Sequence, residues 1–187
     1  TASTIRAWAA QAAHQPLVPF SYEPGPLGAE EVEIRVEHCG VCHSDLSVID
    51  SEWGPAAYPT VGGHEVIGTV VAMGAQARGL RLGQRVGLGW NCSSCMSCPS
   101  CLGGQPQLCR VAQPTIMGHH GGFAERVRAH WLWACPIPDG LSAAKAGPLL
   151  CGGVTVFSPF LNLDIKPTHR VGVVGIGGLG HLALKFA

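Results

Sequence analysis

Four cysteines spaced Cys95-x2-Cys98-x2-Cys101-x7-Cys109 constrain this chain more than any other feature. They stand in a stretch rich in Gly, Ser and Pro, where turns bring neighbouring side chains together. Four thiolates at this spacing match a closed tetrahedral zinc site, with Zn–S bonds near ~2.3 Å. An iron–sulfur cluster accepts the same ligands, and spacing does not separate the two. A centre closed by four sulfurs has no open coordination position, so its role is to pin this lobe. Cys92 is an extra thiol close by and a competing candidate ligand. The chain holds nine cysteines in all, an odd number that sits badly with a closed disulfide framework.

Composition narrows the class further. Lys+Arg and Asp+Glu balance at 12 each among 187 residues, which argues against a broad electrostatic surface for nucleic acid. Charged residues are 13% and apolar residues 47%, the reverse of a disordered chain. Apolar runs such as Leu149–Cys151 and Val154–Phe157 are far shorter than the ~20 residues of a membrane span. Residues 1–17 carry no basic segment followed by an apolar one, so no secretory signal is read there. A globular, cytoplasmic protein without membrane or nucleic-acid partners is expected. Gly is unusually frequent at 26 residues, which points to many tight turns and close backbone approaches.

The first two-thirds read as β-structure. Residues 31–37 alternate strictly, the pattern of a half-buried strand. Val66–Val71 and Arg85–Leu88 are further short runs, punctuated by Gly74, Gly79, Gly83 and Gly89. Short strands between frequent turns suggest a small barrel or sandwich. After Pro136 the pattern changes. Ser142 is positioned to cap a short helix ended by Gly147-Pro148, and residues 149–160 form a second helical stretch. Arg170–Val174 reads as a buried strand entering Gly175-Ile176-Gly177-Gly178-Leu179-Gly180, with a helix beyond. A lone βα unit leaves a strand edge and a helix face uncovered, so the chain is expected to be the N-terminal part of a longer protein.

Two further groups of residues carry chemistry. Cys42-His43-Ser44-Asp45, Gly63-His64-Glu65 and Cys151 supply two cysteines and a histidine, enough for a three-ligand zinc site with one open position. Taken singly, Cys42 and Cys151 also suit buried apolar positions, and His64 a hydrogen-bonded core position. Spacing alone does not choose between these readings. Gly175, Gly177 and Gly180 form a Gly-x-Gly-x-x-Gly between a strand pattern and a helix. That context favours a dinucleotide pyrophosphate at the helix N-terminus over a merely structural turn.

In these residues and their order, the chain resembles the zinc-dependent medium-chain alcohol dehydrogenases. It is most similar to the cinnamyl-alcohol-dehydrogenase and microbial alcohol dehydrogenase branches. The matching stretches are Cys39–Asp45, Gly63–Glu65, the four-cysteine lobe, Ile137–Leu141, Pro148–Cys151 and Val171–Gly180, in family order and across essentially the whole chain. The resemblance implies a mainly β GroES-like catalytic domain over residues 1–150. Residues 151–187 would then be a linking helix and the first βα unit of an α/β Rossmann domain.

It also implies roles for single residues. Cys42, His64 and Cys151 would hold a catalytic zinc, with Glu65 beside them or as alternative fourth ligand. Cys95, Cys98, Cys101 and Cys109 would hold a structural zinc, making two per chain. Asp45 would orient His64. Ser44 would bond the alcohol and pass its proton on, and His43 would lie near the cofactor pyrophosphate. Gly175, Gly177, Gly178, Leu179 and Gly180 would cradle NAD or NADP. The residue that separates those two cofactors falls ~20 positions past the glycines, beyond Ala187. Primary alcohols and aldehydes would be the substrates, and a homodimer or homotetramer the assembly of the full-length protein.

Trp53 and Trp90 are candidate walls of the substrate pocket. Trp90 stands in a Trp-x-x-x-Ser-Cys setting like that of yeast-type relatives, though core packing explains a tryptophan equally well. One position departs from the pattern. Many relatives end their proton relay on a histidine where this chain has Ser47, so a different proton route is expected. A function of another class, a non-catalytic zinc-binding module, would need only the four-cysteine lobe. Zinc-free quinone reductases of similar fold lack both cysteine sets.

Overall fold

The alternating run at residues 31–37 lies inside the longest strand of the protein. In the computed structural model, which describes residues 4–187, the chain opens with a hairpin of β1 (Ile5–Ala9) and β2 (Val18–Tyr22). Strand β3 (Glu31–Gly40) leads into helix α1 (His43–Ile49), and β4 (Glu65–Met73) and β5 (Arg85–Leu88) follow. The cysteine lobe comes next, with β6 (Asn91–Ser93), α2 (Pro99–Leu102) and β7 (Gln113–Pro114). Strands β8 (Arg126–His130) and β9 (Cys135–Pro136) return to the main sheet, and α3 (Ala143–Ala146), α4 (Gly152–Asn162) and α5 (Gly178–Phe186) complete the order.

The main sheet runs β8-β3-β4-β5-β9, with every neighbouring pair antiparallel. Its core face carries Val32, Ile34, Val66, Val70, Val86, Leu88 and Val127, β-branched or branched residues that pack well on a pleated surface. The β1–β2 hairpin is tied on by bridges from Ala7 to Ala124 and from Ala10 to Thr60. The main sheet brings the end of β3, the start of β4 and the end of β5 side by side, since Gly40 pairs with Glu65 and Val66 with Leu88. The candidate ligands cluster at that edge.

Three expectations are corrected. The alternation in β3 predicts a half-buried strand, yet Glu33 on its outer face is buried. Arg126 Nη1 and Arg128 Nε donate to its two carboxylate oxygens at 2.9 and 3.0 Å. Arg128 also donates to the carbonyls of Pro24, Gly25 and Pro26, drawing that loop over the pair. Neutralising a buried partner leaves charge without compensation. Glu33→Ala is therefore expected to cost about 3 kcal/mol by urea unfolding, and Glu33→Gln less, because the amide keeps one acceptor. A loss below about 1 kcal/mol for the alanine variant would contradict this account.

The second correction concerns the helical stretch expected from residue 149. Helix α3 spans Ala143–Ala146 with Gly147 as its C-cap, as expected, but a 3-10 turn, Gly147–Leu150, follows it and α4 begins only at Gly152. Proline is tolerated there because the first turn of a helix needs no backbone donor. The third is Arg170–Val174, which is neither a strand nor buried: residues 170–176 form no regular element and are largely exposed. Among the described residues no strand lies beside it, and an apolar β pattern without a partner has nowhere to place its backbone hydrogen bonds.

Candidate metal centre

Cys42 stands between β3 and α1 and caps the helix. Asp45, on the first turn of α1 and nearly fully buried, holds three donors at once. Its Oδ2 accepts from the Cys42 backbone N–H at 2.9 Å. Its Oδ1 accepts from the Gly63 N–H and from His64 Nδ1, each at 2.8 Å. A carboxylate only accepts, so the proton lies on Nδ1 and His64 Nε2 is left for another partner. The turn that delivers His64 requires Gly63, which has φ +96 and the Phe123 backbone nitrogen 2.6 Å from where a Cβ would stand.

Cys151 arrives from the other end of the chain. Its Sγ is 3.2 Å from His64 Nε2 and 3.9 Å from Cys42 Sγ. Glu65 completes a group whose donor atoms all lie within 4.8 Å of one another. The Glu65 carboxylate lies across Gly40, its cross-strand partner, where any Cβ would overlap Oε2. Sequence reasoning missed this use of Gly40, because the pairing that explains it becomes visible only with the sheet.

Burial and hydrogen bonding pull the ionisable groups of this cluster in opposite directions. Burial works against a charged Cys42 thiolate, but the backbone N–H and hydroxyl of Ser44 together with His64 outweigh it and lower the thiol pKa. Burial likewise opposes protonation of His64, yet its bonds to Asp45 and Cys151 raise it to about 10. Burial raises the Glu65 carboxyl. Two thiols and an imidazole facing one point, with a carboxylate alongside, suit a borderline-soft divalent ion such as zinc.

The four-cysteine lobe forms the second group, again with all donor atoms within 4.8 Å. Cys95 Sγ is 3.6 Å from Cys109 Sγ and 3.9 Å from Cys101 Sγ. Disulfide sulfurs would be about 2.05 Å apart. Bonds of ~2.3 Å to a common tetrahedral centre put sulfurs about 3.8 Å apart, which the observed spacing fits. Backbone N–H groups of Ser97 and Cys98 pull the Cys95 thiol down to about 6, and burial pushes Cys101 up to about 11. Cys92 is not part of this group, which corrects the expectation of a competing ligand. It is buried against the main core, its thiol donates to the Gln113 carbonyl at 3.4 Å, and burial drives its pKa to about 12.

The remaining predicted residues fall at different distances from the centre. Trp90 meets the His64 ring edge-on at 5.1 Å between centroids, and Trp53 meets Trp90 at 5.9 Å. Trp53 also lines a cavity of about 790 Å3 with Tyr58, Met117, His119, His120 and Arg128, residues that the sequence did not single out. Burial lowers the pKa of both histidines there. Ser44 is half-buried at the start of α1 and His43 is exposed beside it, while Ser47 is buried. Gly175 has φ +87, and a Cβ on Gly180 would overlap the Gly175 carbonyl oxygen, so these two glycines fold a tight turn at the start of α5. Gly177, Gly178 and Leu179 are exposed on that turn.

Comparison with known proteins agrees with the fold. Residues 28–139 match the model of the alcohol dehydrogenase GroES-like domain, and the chain belongs to that family. It is 57% identical over 182 residues to the aldehyde reductase AdhA of Synechocystis, covering 97% of this chain and 54% of that protein. A solved cinnamyl alcohol dehydrogenase from Sorghum bicolor superposes with a TM-score of 0.93 at 38% identity, over 98% of this chain and 55% of that one. The structure of CAD from Helicobacter pylori complexed with NADP(H) gives a TM-score of 0.92 at 28% identity, over 98% of this chain and 55% of that one. The chain thus spans about half the length of the curated relatives it matches. Among the described residues no single helix is long and apolar enough to cross a membrane.

Proposed function

We propose that this chain carries the zinc-centred part of an NAD(P)-linked oxidoreductase that interconverts primary alcohols and aldehydes by hydride transfer. The observation that carries the reading is the convergence of Cys42, His64 and Cys151, from three distant segments, on one point beside Trp90. Two cysteines and a histidine leave a fourth position for substrate, unlike the closed four-cysteine group. Zinc bound there supplies a Lewis acid that polarises an alcohol or carbonyl oxygen.

The chain's own residues do the rest. Asp45 fixes the His64 tautomer and ties its loop to the Cys42 turn. The Ser44 hydroxyl bonds the alcohol and takes its proton towards the cofactor ribose. Ser47 is buried and supplies no imidazole, so the proton leaves by another route. Trp53 and Trp90 narrow the approach and favour slender substrates. His43 and the turn of Gly175, Gly177, Gly178, Leu179 and Gly180 hold the pyrophosphate of NAD or NADP. On this reading residues 1–150 are the catalytic domain and 151–187 open the Rossmann domain. The two cysteine groups each hold one zinc, and the assembly is a homodimer or homotetramer.

The test is turnover of the full-length protein containing this chain, with primary alcohols and aldehydes and both cofactors. Activity is expected, with a loss of at least about 10³-fold in kcat/KM for Cys151→Ala alongside one zinc of two. A zinc-loaded full-length protein without turnover on any such pair would contradict the reading.

A further inference from the structure

Cys151 is separated from Cys42 by 109 positions, and it follows the short turn Gly147–Leu150 directly. What fixes that turn also fixes a ligand. Gly87 lies on β5 and Gly89 just past its end, and both face Leu150. Leu88 between them points into the core and is fully buried. The bare side receives Leu150. A Cβ on Gly87 would stand 2.5 Å from Leu150 Cδ1 and 3.1 Å from Ile137 Cδ1. On Gly89 it would stand 2.7 Å from the Leu150 carbonyl oxygen. Neither glycine is among those with positive φ, so room rather than backbone conformation calls for glycine here. At the other end of the turn, Gly147 rests on the Glu65 carbonyl oxygen and the Gly40 nitrogen, 2.8 and 3.3 Å from its Cβ position.

We propose that Gly87 and Gly89 are positioning residues for the metal centre: together they form a seat without side chains that takes Leu150 and so sets where Cys151 Sγ meets Cys42 and His64. The inference rests on the metal reading given above and extends it to residues that touch no ligand. The two glycines act differently. Gly87 meets the flexible end of a side chain, and rotation or shortening of Leu150 relieves an added group there. Gly89 meets the carbonyl of the peptide that enters Cys151, so an added Cβ displaces the ligand's own backbone.

Two readouts test this on the purified protein. In the metal-free protein, diamide oxidises neighbouring thiols to a disulfide while it is itself reduced to the hydrazine. Peptide mass mapping then follows the Cys42–Cys151 pair. In the loaded protein, competition with a chelator gives zinc affinity at each centre. Gly89→Ala and Gly87→Val are expected to slow Cys42–Cys151 pairing and to weaken zinc at that centre at least about tenfold, the effect typical of losing a ligand-orienting partner. The Cys95–Cys109 zinc is unaffected, which separates displacement from unfolding. Leu150→Ala in the Gly87→Val background restores pairing to within about threefold of wild type, since it removes the clash.

Wild-type pairing and zinc affinity in both single variants would overturn the proposal. So would a double variant no better than Gly87→Val alone. Slowed pairing in the variants, together with a wild-type centre that binds no zinc, would support the seat and defeat the metal reading instead.

Discussion

Cys109→Ser is expected to remove one zinc per chain and to open the lobe between residues 91 and 114. That lobe has little else to hold it. Its regular structure is a two-stranded pairing of β6 with β7, a four-residue helix and one 3-10 turn. Its larger apolar side chains, Leu102, Leu108 and Val111, are exposed, whereas Cys101 and Cys109 are buried. The sulfurs thus occupy the place of a core. Structural zinc contributes roughly 10–16 kcal/mol in small metal-folded domains, far more than a strand pair of three residues supplies. Limited proteolysis checks the prediction. Cleavage within residues 96–112 should become rapid in the variant, at a lower Tm, while the β3–β4–β5 sheet stays protected. A variant as resistant as wild type would show that the lobe folds without its metal.

The second large effect belongs to Asp45. Asp45→Asn exchanges one oxygen of a fully engaged, buried carboxylate for an NH2 group. Either orientation then faces an N–H donor with another donor, at Cys42 in one case and at Gly63 with His64 in the other. One lost charge-assisted bond and one buried unsatisfied donor together cost about 3–4 kcal/mol. The imidazole loses its acceptor in the second orientation and keeps only a neutral amide oxygen in the first, which should weaken zinc at Cys42, His64 and Cys151 about 10–100-fold. The four-cysteine zinc should stay. Equal zinc affinity in wild type and variant would remove Asp45 from the account.

These two sites were legible in the sequence to different degrees, for a physical reason. The four cysteines fall within fifteen residues, so local turns alone bring them together and spacing carries the signal. Cys42, His64 and Cys151 meet only because β3, β4 and β5 pair in register and the Gly147–Leu150 turn seats on them. No spacing rule encodes that, and the family resemblance, not the residues, pointed to the set. The strand at 66–71 was readable because burial of its apolar side chains needs only the sheet. Glu33 was not, because its burial depends on arginines more than ninety positions away. The run at 170–174 shows the converse: its β pattern forms no strand, and among the described residues no strand lies beside it.

The central claim, two chemically distinct zinc centres in one chain, is tested most directly by native mass spectrometry during stepwise chelation. The account predicts two zinc ions per chain, the first lost from the open Cys42–His64–Cys151 centre, the second retained by the four closed cysteines. Peptide mapping with a thiol alkylator should then label Cys42 and Cys151 before Cys95, Cys98, Cys101 and Cys109. A single zinc, held by the lobe alone, would contradict the catalytic reading of Cys42, His64 and Cys151.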